Sequence, residues 1–363
     1  MKNTFGNSIT LTLFGESHGE AIGVVLDGVA PGIPVNKELI MDRLSKRQAS
    51  GDISTPRKEP DEPIFLSGIK DGFTEGTPIA IIIKNTNKNS SAYSELESTP
   101  RPSHADYTAE CKYHGFQDKR GGGHFSGRLT APLVAAGALL ESALMEKGIY
   151  IGTHIKELHG KADRDFSSLA DDIAELQGRH FPVLDSEAEL KMKEEILDAK
   201  KKGDSVGGIL ETAVIGVPRG VGEPWFDTVE GILSHILFSI PAVKGVEFGD
   251  GFAFADQLGS EANDPFIARG GEILTEKNSS GGINGGITNG MPIIFRTAIK
   301  PTTSISAEQR TVDLITLEKR LISVGGRHDP AIVHRARAVV DACTAFAIAD
   351  LLTVRYGTDF LCK

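Results

Sequence analysis

The sequence of 363 residues predicts a mixed α and β protein whose longest helices are buried between other layers. Three observations predict this. Residues 8–14, Ser-Ile-Thr-Leu-Thr-Leu-Phe, alternate polar and apolar side chains, the period-two pattern of a strand with one buried face. Segments 129–145 and 338–352 are apolar on every side and too short to span a bilayer, so they read as helices inside a core. Beyond residue 204, apolar segments such as 209–217 alternate with glycine turns.

Taken in order, the first strand delivers Gly15-Glu16-Ser17-His18-Gly19, and a second apolar run follows at 21–26. A polar cluster so placed is either a hairpin turn or a site. Pro31-Gly32-Ile33-Pro34 is a turn, and Asn36 caps a helix over 37–47 that ends in Lys46-Arg47. These two cations either complement the helix dipole or serve a ligand. Residues 55–61 form a mixed-charge extended loop ahead of strands at 64–67 and 79–83. The polar stretch 86–103 reads as a long mobile loop, and it leads to Arg101-Pro102-Ser103-His104-Ala105-Asp106-Tyr107.

The next block, Arg120-Gly121-Gly122-Gly123-His124-Phe125-Ser126-Gly127-Arg128, runs into the first apolar helix. Three glycines permit torsions closed to other residues and a close approach of a ligand to the main chain. An early helical turn tolerates Pro132, and the free N–H groups there would face the loop as an anion site. A glycine turn before a core helix is the plain alternative. Residues 161–204 are rich in both charge signs and read as a solvated helical excursion, amphipathic over 187–202. The stretch 278–290 carries five glycines without the spacing of a dinucleotide site, and Lys300-Pro301-Thr302-Thr303-Ser304 adds a cation and three hydroxyls. Gly325-Gly326-Arg327-His328-Asp329 stands before the second apolar helix as residues 121–128 stand before the first, a parallel that hints at internal duplication.

The formal charge of −10 argues against a nucleic-acid surface. Cys111, Cys343 and Cys362 are widely separated and show no zinc-ligand spacing, so a cytoplasmic protein without structural disulfides or a bound metal is expected. A signal-like N-terminus and a membrane span of ~18 uninterrupted apolar residues are both missing, so no membrane partner is expected. Gly122 to Gly127 has P-loop glycine spacing, but Arg128-Leu129 stands where a nucleotide site needs Lys and Ser/Thr. The Arg, Lys, His, Ser and Gly clusters predict one strongly cationic pocket for a ligand with several negative charges, its histidines moving protons near neutrality.

Assembled, these blocks together with Gly281-Gly282-Ile283-Asn284-Gly285-Gly286-Ile287 resemble, in order and spacing, the chorismate synthase family over almost the whole chain. The resemblance implies an α+β three-layer β/α/β sandwich, a helical layer between two antiparallel sheets, as one domain over 1–363 that assembles as a homotetramer. It implies conversion of 5-enolpyruvylshikimate 3-phosphate to chorismate and phosphate, with reduced FMN required and no net oxidation. His18, near flavin N1, and His104, facing the substrate, would be catalytic. Ser17 and Ser126 would relay protons, and Asp329 would assist deprotonation near flavin N5. His124, Phe125, Ser126, Ala242, Gly285, Lys300, Pro301, Thr302, Thr303, Ser304 and Arg327 would line the flavin site. Lys46, Arg47, Arg128 and Arg335 would bind the substrate's anionic groups.

With no added reductase domain in view, an external flavin reductase would supply reduced FMN, so NADPH would act only indirectly. The chain departs from many members at His124-Phe125, Gly127, Leu129, Gln48-Ala49 and Ala331, where Arg-Ser, Ala, Glu, Arg-Pro and Cys are common. A non-catalytic flavin- or phosphometabolite-binding protein is the alternative.

Overall fold

Residues 2–49, 51–55, 59–86, 98–325 and 328–362 are described in the computed structural model. Their helices are α1 Lys37–Arg47, α2 Asp106–Tyr113, α3 Thr130–Glu146, α4 Leu169–Gln177, α5 Ser186–Lys201, α6 Val229–Ser239, α7 Gly259–Ala262 and α8 Val333–Tyr356. Asn36 caps α1 as its residue type predicts, its side-chain oxygen accepting the Leu39 N–H at 3.0 Å. The two all-apolar segments become α3 and α8, which pack against each other in the middle of the molecule. At their crossing Gly137 brings the backbones into contact, for a Cβ there would lie 2.5 Å from that of Ala342.

Two five-stranded antiparallel sheets enclose this helical layer. The first runs Thr4–Phe5, Thr10–Gly15, Ala21–Asp27, Ile79–Lys84, Pro63–Phe65 in spatial order, and α3 packs on its middle strands. The second runs Lys161–Ala162, Tyr150–Leu158, Gly208–Ile215, Ile293–Ile299, Val243–Phe248, and α8 packs on it. The α+β sandwich is as the sequence and the resemblance predict. Duplication is also plain in the connectivity. Counting only the main strands of the two sheets and the helices packed between them, each half reads strand, strand, helix, strand, strand, helix, with α1 then α3 in one and α6 then α8 in the other. In both sheets the four strands lie in the order first, second, fourth, third. The short turn Gly15–Gly19 of the first half therefore corresponds to the charged excursion of the second.

That excursion is less solvated than its composition suggests. Thr153 points inward and donates to Asp341 of α8 at 2.6 Å, whereas Gly152 faces Ile173 of α4 on the opposite side of the sheet. The excursion thus covers the outer face of the second sheet. It is pinned there by His154, which is fully buried and bridges Asp163 at 2.7 Å and Glu211 at 3.1 Å. The central helices also hold charge: Arg43 of α1 makes a buried two-point pair with Glu141 of α3, at 2.8 and 2.7 Å. Gly127–Glu146 is long and apolar enough by composition to cross a membrane, but 83% of its most apolar window is buried in the core.

Candidate active site

The loops at one end of the helical layer surround a cleft of about 1330 Å³. The duplicated topology explains why scattered blocks meet there: the loops before α3 and α8 and the segments after α1 and α6 all border the cleft.

At its base the Gly15–Gly19 turn packs on the glycine loop. Ser17 N–H donates to the Gly123 carbonyl at 3.1 Å, and Ser17 Oγ lies 3.1 Å from His18 Nδ1. Both side chains are buried. Gly121 has φ +67°, and a Cβ there would fall 2.4 Å from His18 Cε1. This glycine is therefore required by the histidine turn, a cause that the sequence reading had assigned to ligand approach. His124 donates from Nδ1 to the Gly15 carbonyl at 2.8 Å and locks the turn from the other side. Phe125 packs edge-on against Tyr113, ring centroids 6.0 Å apart. Ser126 Oγ accepts the Arg128 N–H at 3.2 Å, and residues 127–129 form a 3₁₀ turn before α3, so the helix start is already partly capped.

His104 and Asp106 form a dyad at 2.6 Å, in which the Nδ1–H donates to the carboxylate and Nε2 is left for the cleft. Burial alone would raise the Asp106 pKa, but hydrogen bonds from Arg101 and His104 hold it well below the usual carboxylate range. Arg101 joins three blocks: it grips Asp106 in two-point fashion, donates to the Gly121 carbonyl at 2.9 Å and reaches Ser304 Oγ at 3.2 Å. Thr302 Oγ1 donates to the Asp329 carbonyl at 2.9 Å, and Lys300 Nζ to the Ser103 carbonyl at 2.7 Å. Burial and the nearby Lys244 ammonium lower the pKa of Lys300. Ala242, whose carbonyl accepts the Lys300 N–H at 2.9 Å, stands at φ +76°, a backbone conformation that costs a β-carbon residue roughly 1–2 kcal/mol.

The arginines are less free than the predicted cationic pocket requires. Asp61 pairs with both Arg47 and Arg128, Glu59 lies 2.5 Å from Arg128, and Asp329 pairs with Arg335 while accepting the Thr55 N–H at 2.8 Å. Asn85 ties this cluster to the histidine turn, donating to the Glu16 and Gly19 carbonyls and accepting from Arg128 Nε at 3.1 Å. Sequence reasoning gave no role to Asp61, Glu59 or Asn85, and it placed Arg101 only beside His104 in the cationic cluster.

Most of the expected site residues border the cleft: Ser17, His18, Arg47, His104, His124, Phe125, Ser126, Arg128, Ala242, residues 300–304, Asp329 and Arg335. Two do not. Lys46 points away and is held by Asp42 at 2.5 Å and by the Gln177 carbonyl, because neighbours on a helix diverge by about 100°. Gly285 is exposed at a hairpin turn between Ile283–Asn284 and Ile287–Thr288. Arg327 lies outside the described residues.

A duplicated sandwich with paired histidines, polarised carboxylates and basic side chains around one large cleft defines an enzyme for small anionic ligands. The sequence model described as chorismate synthase matches residues 9–353. A chorismate synthase of Pyrococcus abyssi (strain GE5 / Orsay) is 48% identical over 350 residues, covering 96% of this chain and 97% of that one. One from Thermococcus gammatolerans is 45% identical, with the same coverage of 96% and 97%. A crystal structure of chorismate synthase superposes with a TM-score of 0.76 at 29% identity, over 98% of this chain and 95% of the other. The chain belongs to the chorismate synthase family, lyases of the shikimate pathway.

Proposed function

We propose that the protein converts 5-enolpyruvylshikimate 3-phosphate to chorismate and inorganic phosphate by a trans-1,4 elimination that requires reduced FMN without net redox change. One observation carries this reading beyond the family: His18, His104, Ser126, Asp329 and residues 300–304 converge on a single cleft. Its volume of about 1330 Å³ exceeds the ~300–1,000 Å³ usual for one ligand. Cofactor and substrate together suit that space. The residues present fit a flavin phosphate: Lys300 and the neighbouring Lys244 offer positive charge, and Thr302, Thr303 and Ser304 offer hydroxyls beside them.

Reduced FMN, when bound, supplies the electron-rich chemistry that breaking an unactivated C–H bond and expelling phosphate demands. The chain's own groups supply orientation and protons. Asp106 fixes the His104 tautomer so that Nε2 exchanges a proton with a ligand in the cleft. Ser17 holds the His18 ring, and Ser126 stands at the mouth of the glycine loop to relay protons. Asp329, held by Arg335 and the Thr55 N–H, is the carboxylate base, and Arg47 contacts an anionic group of the substrate.

The same reading makes the chain one domain over residues 1–363, cytoplasmic, and supplied by an external flavin reductase that draws on NADPH. It also makes the protein a homotetramer, for whose contacts the exposed Trp225, Phe226, Phe252 and Phe266 are available. The test of the site is a pair of variants. His104→Ala and Asp329→Ala should each lose at least ~10²-fold in turnover while still binding reduced FMN. Near-normal turnover in either would overturn its assignment.

A further inference from the structure

We propose that Asp61 is a positioning residue: its buried carboxylate holds Arg47 in place to receive an anionic group of the substrate, with Arg128 acting as a strut for the carboxylate. The inference rests on the functional reading above and assigns a division of labour within the same site. Asp61 is 1% exposed, and each of its oxygens takes one guanidinium, Oδ2 that of Arg47 and Oδ1 that of Arg128. Two guanidinium groups brought this close repel, so the shared carboxylate is what allows them to coexist in a buried place. Burial opposes ionisation of Asp61, and the two arginines more than reverse it, holding the carboxyl below its ordinary value.

The two arginines differ in what they have left to give. All three Arg128 nitrogens are engaged: Nε by Asn85 Oδ1 and Glu59, Nη1 by Asp61, and Nη2 by the Lys84 carbonyl at 3.3 Å. Arg47 is 7% exposed, yet among the described residues its Nε has no hydrogen-bond partner. Among the same residues its Nη1 reaches only the Gly127 carbonyl and Thr130 Oγ1, both at 3.5 Å. Those two acceptors are already joined to each other, Thr130 donating to Gly127 at 2.6 Å. Arg47 borders the cleft, and although Nε itself is closed to solvent, the loosely held Nη1 leaves this buried cation short of partners beside the ligand space. Leaving such donors unpaired is unfavourable, and an anionic oxygen of the substrate completes the set. Arg128, placed by resemblance among the substrate contacts, becomes instead the fixed end of an Arg128–Asp61–Arg47 brace.

The experiment is steady-state kinetics with reduced FMN, comparing wild type with Asp61→Asn and Asp61→Glu, each checked for folding by circular dichroism. Asp61→Asn keeps the shape and removes the charge. It should raise KM for 5-enolpyruvylshikimate 3-phosphate by ~10-fold or more, the scale of one charge-assisted hydrogen bond, with kcat within about threefold of wild type. Asp61→Glu keeps the charge but shifts it by one methylene, and should raise KM by about threefold. A residue that only stabilised the fold would lower the urea midpoint and leave KM unchanged.

Wild-type or lower KM in folded Asp61→Asn overturns the proposal, the lower value showing that the carboxylate competes with substrate. If Asp61→Asn does not fold, wild-type KM in Asp61→Glu overturns it equally. Should the wild-type protein itself show no turnover, the functional reading fails separately. Calorimetric binding of inorganic phosphate to wild type and the two variants then decides the brace: weaker binding in the variants supports it, and an unchanged Kd refutes it.

Discussion

Replacing Gly121 by alanine isolates the contact on which the geometry of the cleft depends. A Cβ at this position would lie 2.4 Å from His18 Cε1, 2.7 Å from Nδ1 and 3.2 Å from Ser17 Oγ, where ordinary contacts begin near 3.4 Å. The imidazole would have to retreat by about 1 Å, and a displacement of that size in a positioned catalytic group costs ~10²-fold in rate. Backbone strain adds to this, since φ +67° costs an alanine roughly 1–2 kcal/mol. Gly127, six residues along the same loop, provides the control: it lacks a positive φ, and no atom of the described residues lies within 4 Å of its Cβ position. Gly121→Ala should therefore lose ~10²-fold in kcat/KM and roughly 1–2 kcal/mol of stability by urea unfolding. Gly127→Ala should lose little of either. A folded Gly121→Ala within threefold of wild-type kcat/KM would refute the role given to the His18 turn.

Two further outcomes follow from buried charge. Glu141→Ala removes the buried partner of Arg43 and leaves it only the half-exposed Asp42, so it should cost roughly 3 kcal/mol in urea unfolding, whereas Arg43→Met combined with Glu141→Leu should recover most of that loss; equal losses in the single and double variants would contradict it. Burial lowers the pKa of His154, but Asp163 and Glu211 outweigh it and raise the folded value above the unfolded ~6.5. Its contribution is thus fully present below about pH 6.5 and is lost as pH rises through the folded value. The wild-type urea midpoint should fall across that window and the His154→Gln midpoint should fall less; parallel curves would rule this out.

How legible these features were in the sequence depended on whether a residue's local surroundings revealed its partners. The boundaries of α1 were readable because Asn36 and Lys46-Arg47 mark its ends locally. Those of α8 were not: His334, Arg335 and Arg337 look like loop residues by type, yet they open the helix because each finds a place inside the fold. His334 is buried against Ser54 at 2.9 Å, and burial pushes its pKa down to about 3. The duplication was only a hint in two short loops and became visible in the strand order. Within the site, His18 and His104 stood out in polar clusters framed by glycine and proline, and Ser126 and Asp329 through the family resemblance. Asp61 and Glu59 resembled the acids of any exposed loop, and only the placement of Arg47 and Arg128 from elsewhere in the chain reveals them as counterions. Lys46 was misplaced because adjacency in sequence is divergence on a helix.

The central claim is that this cleft carries out a flavin-dependent elimination, and a single anaerobic measurement tests it most directly. Purified protein is mixed with chemically reduced FMN and 5-enolpyruvylshikimate 3-phosphate, and chorismate and inorganic phosphate are measured over time. The account predicts that both products accumulate in equal amounts, that the flavin stays reduced throughout, and that omitting reduced FMN abolishes both. Well-folded protein that releases no chorismate under these conditions would contradict it.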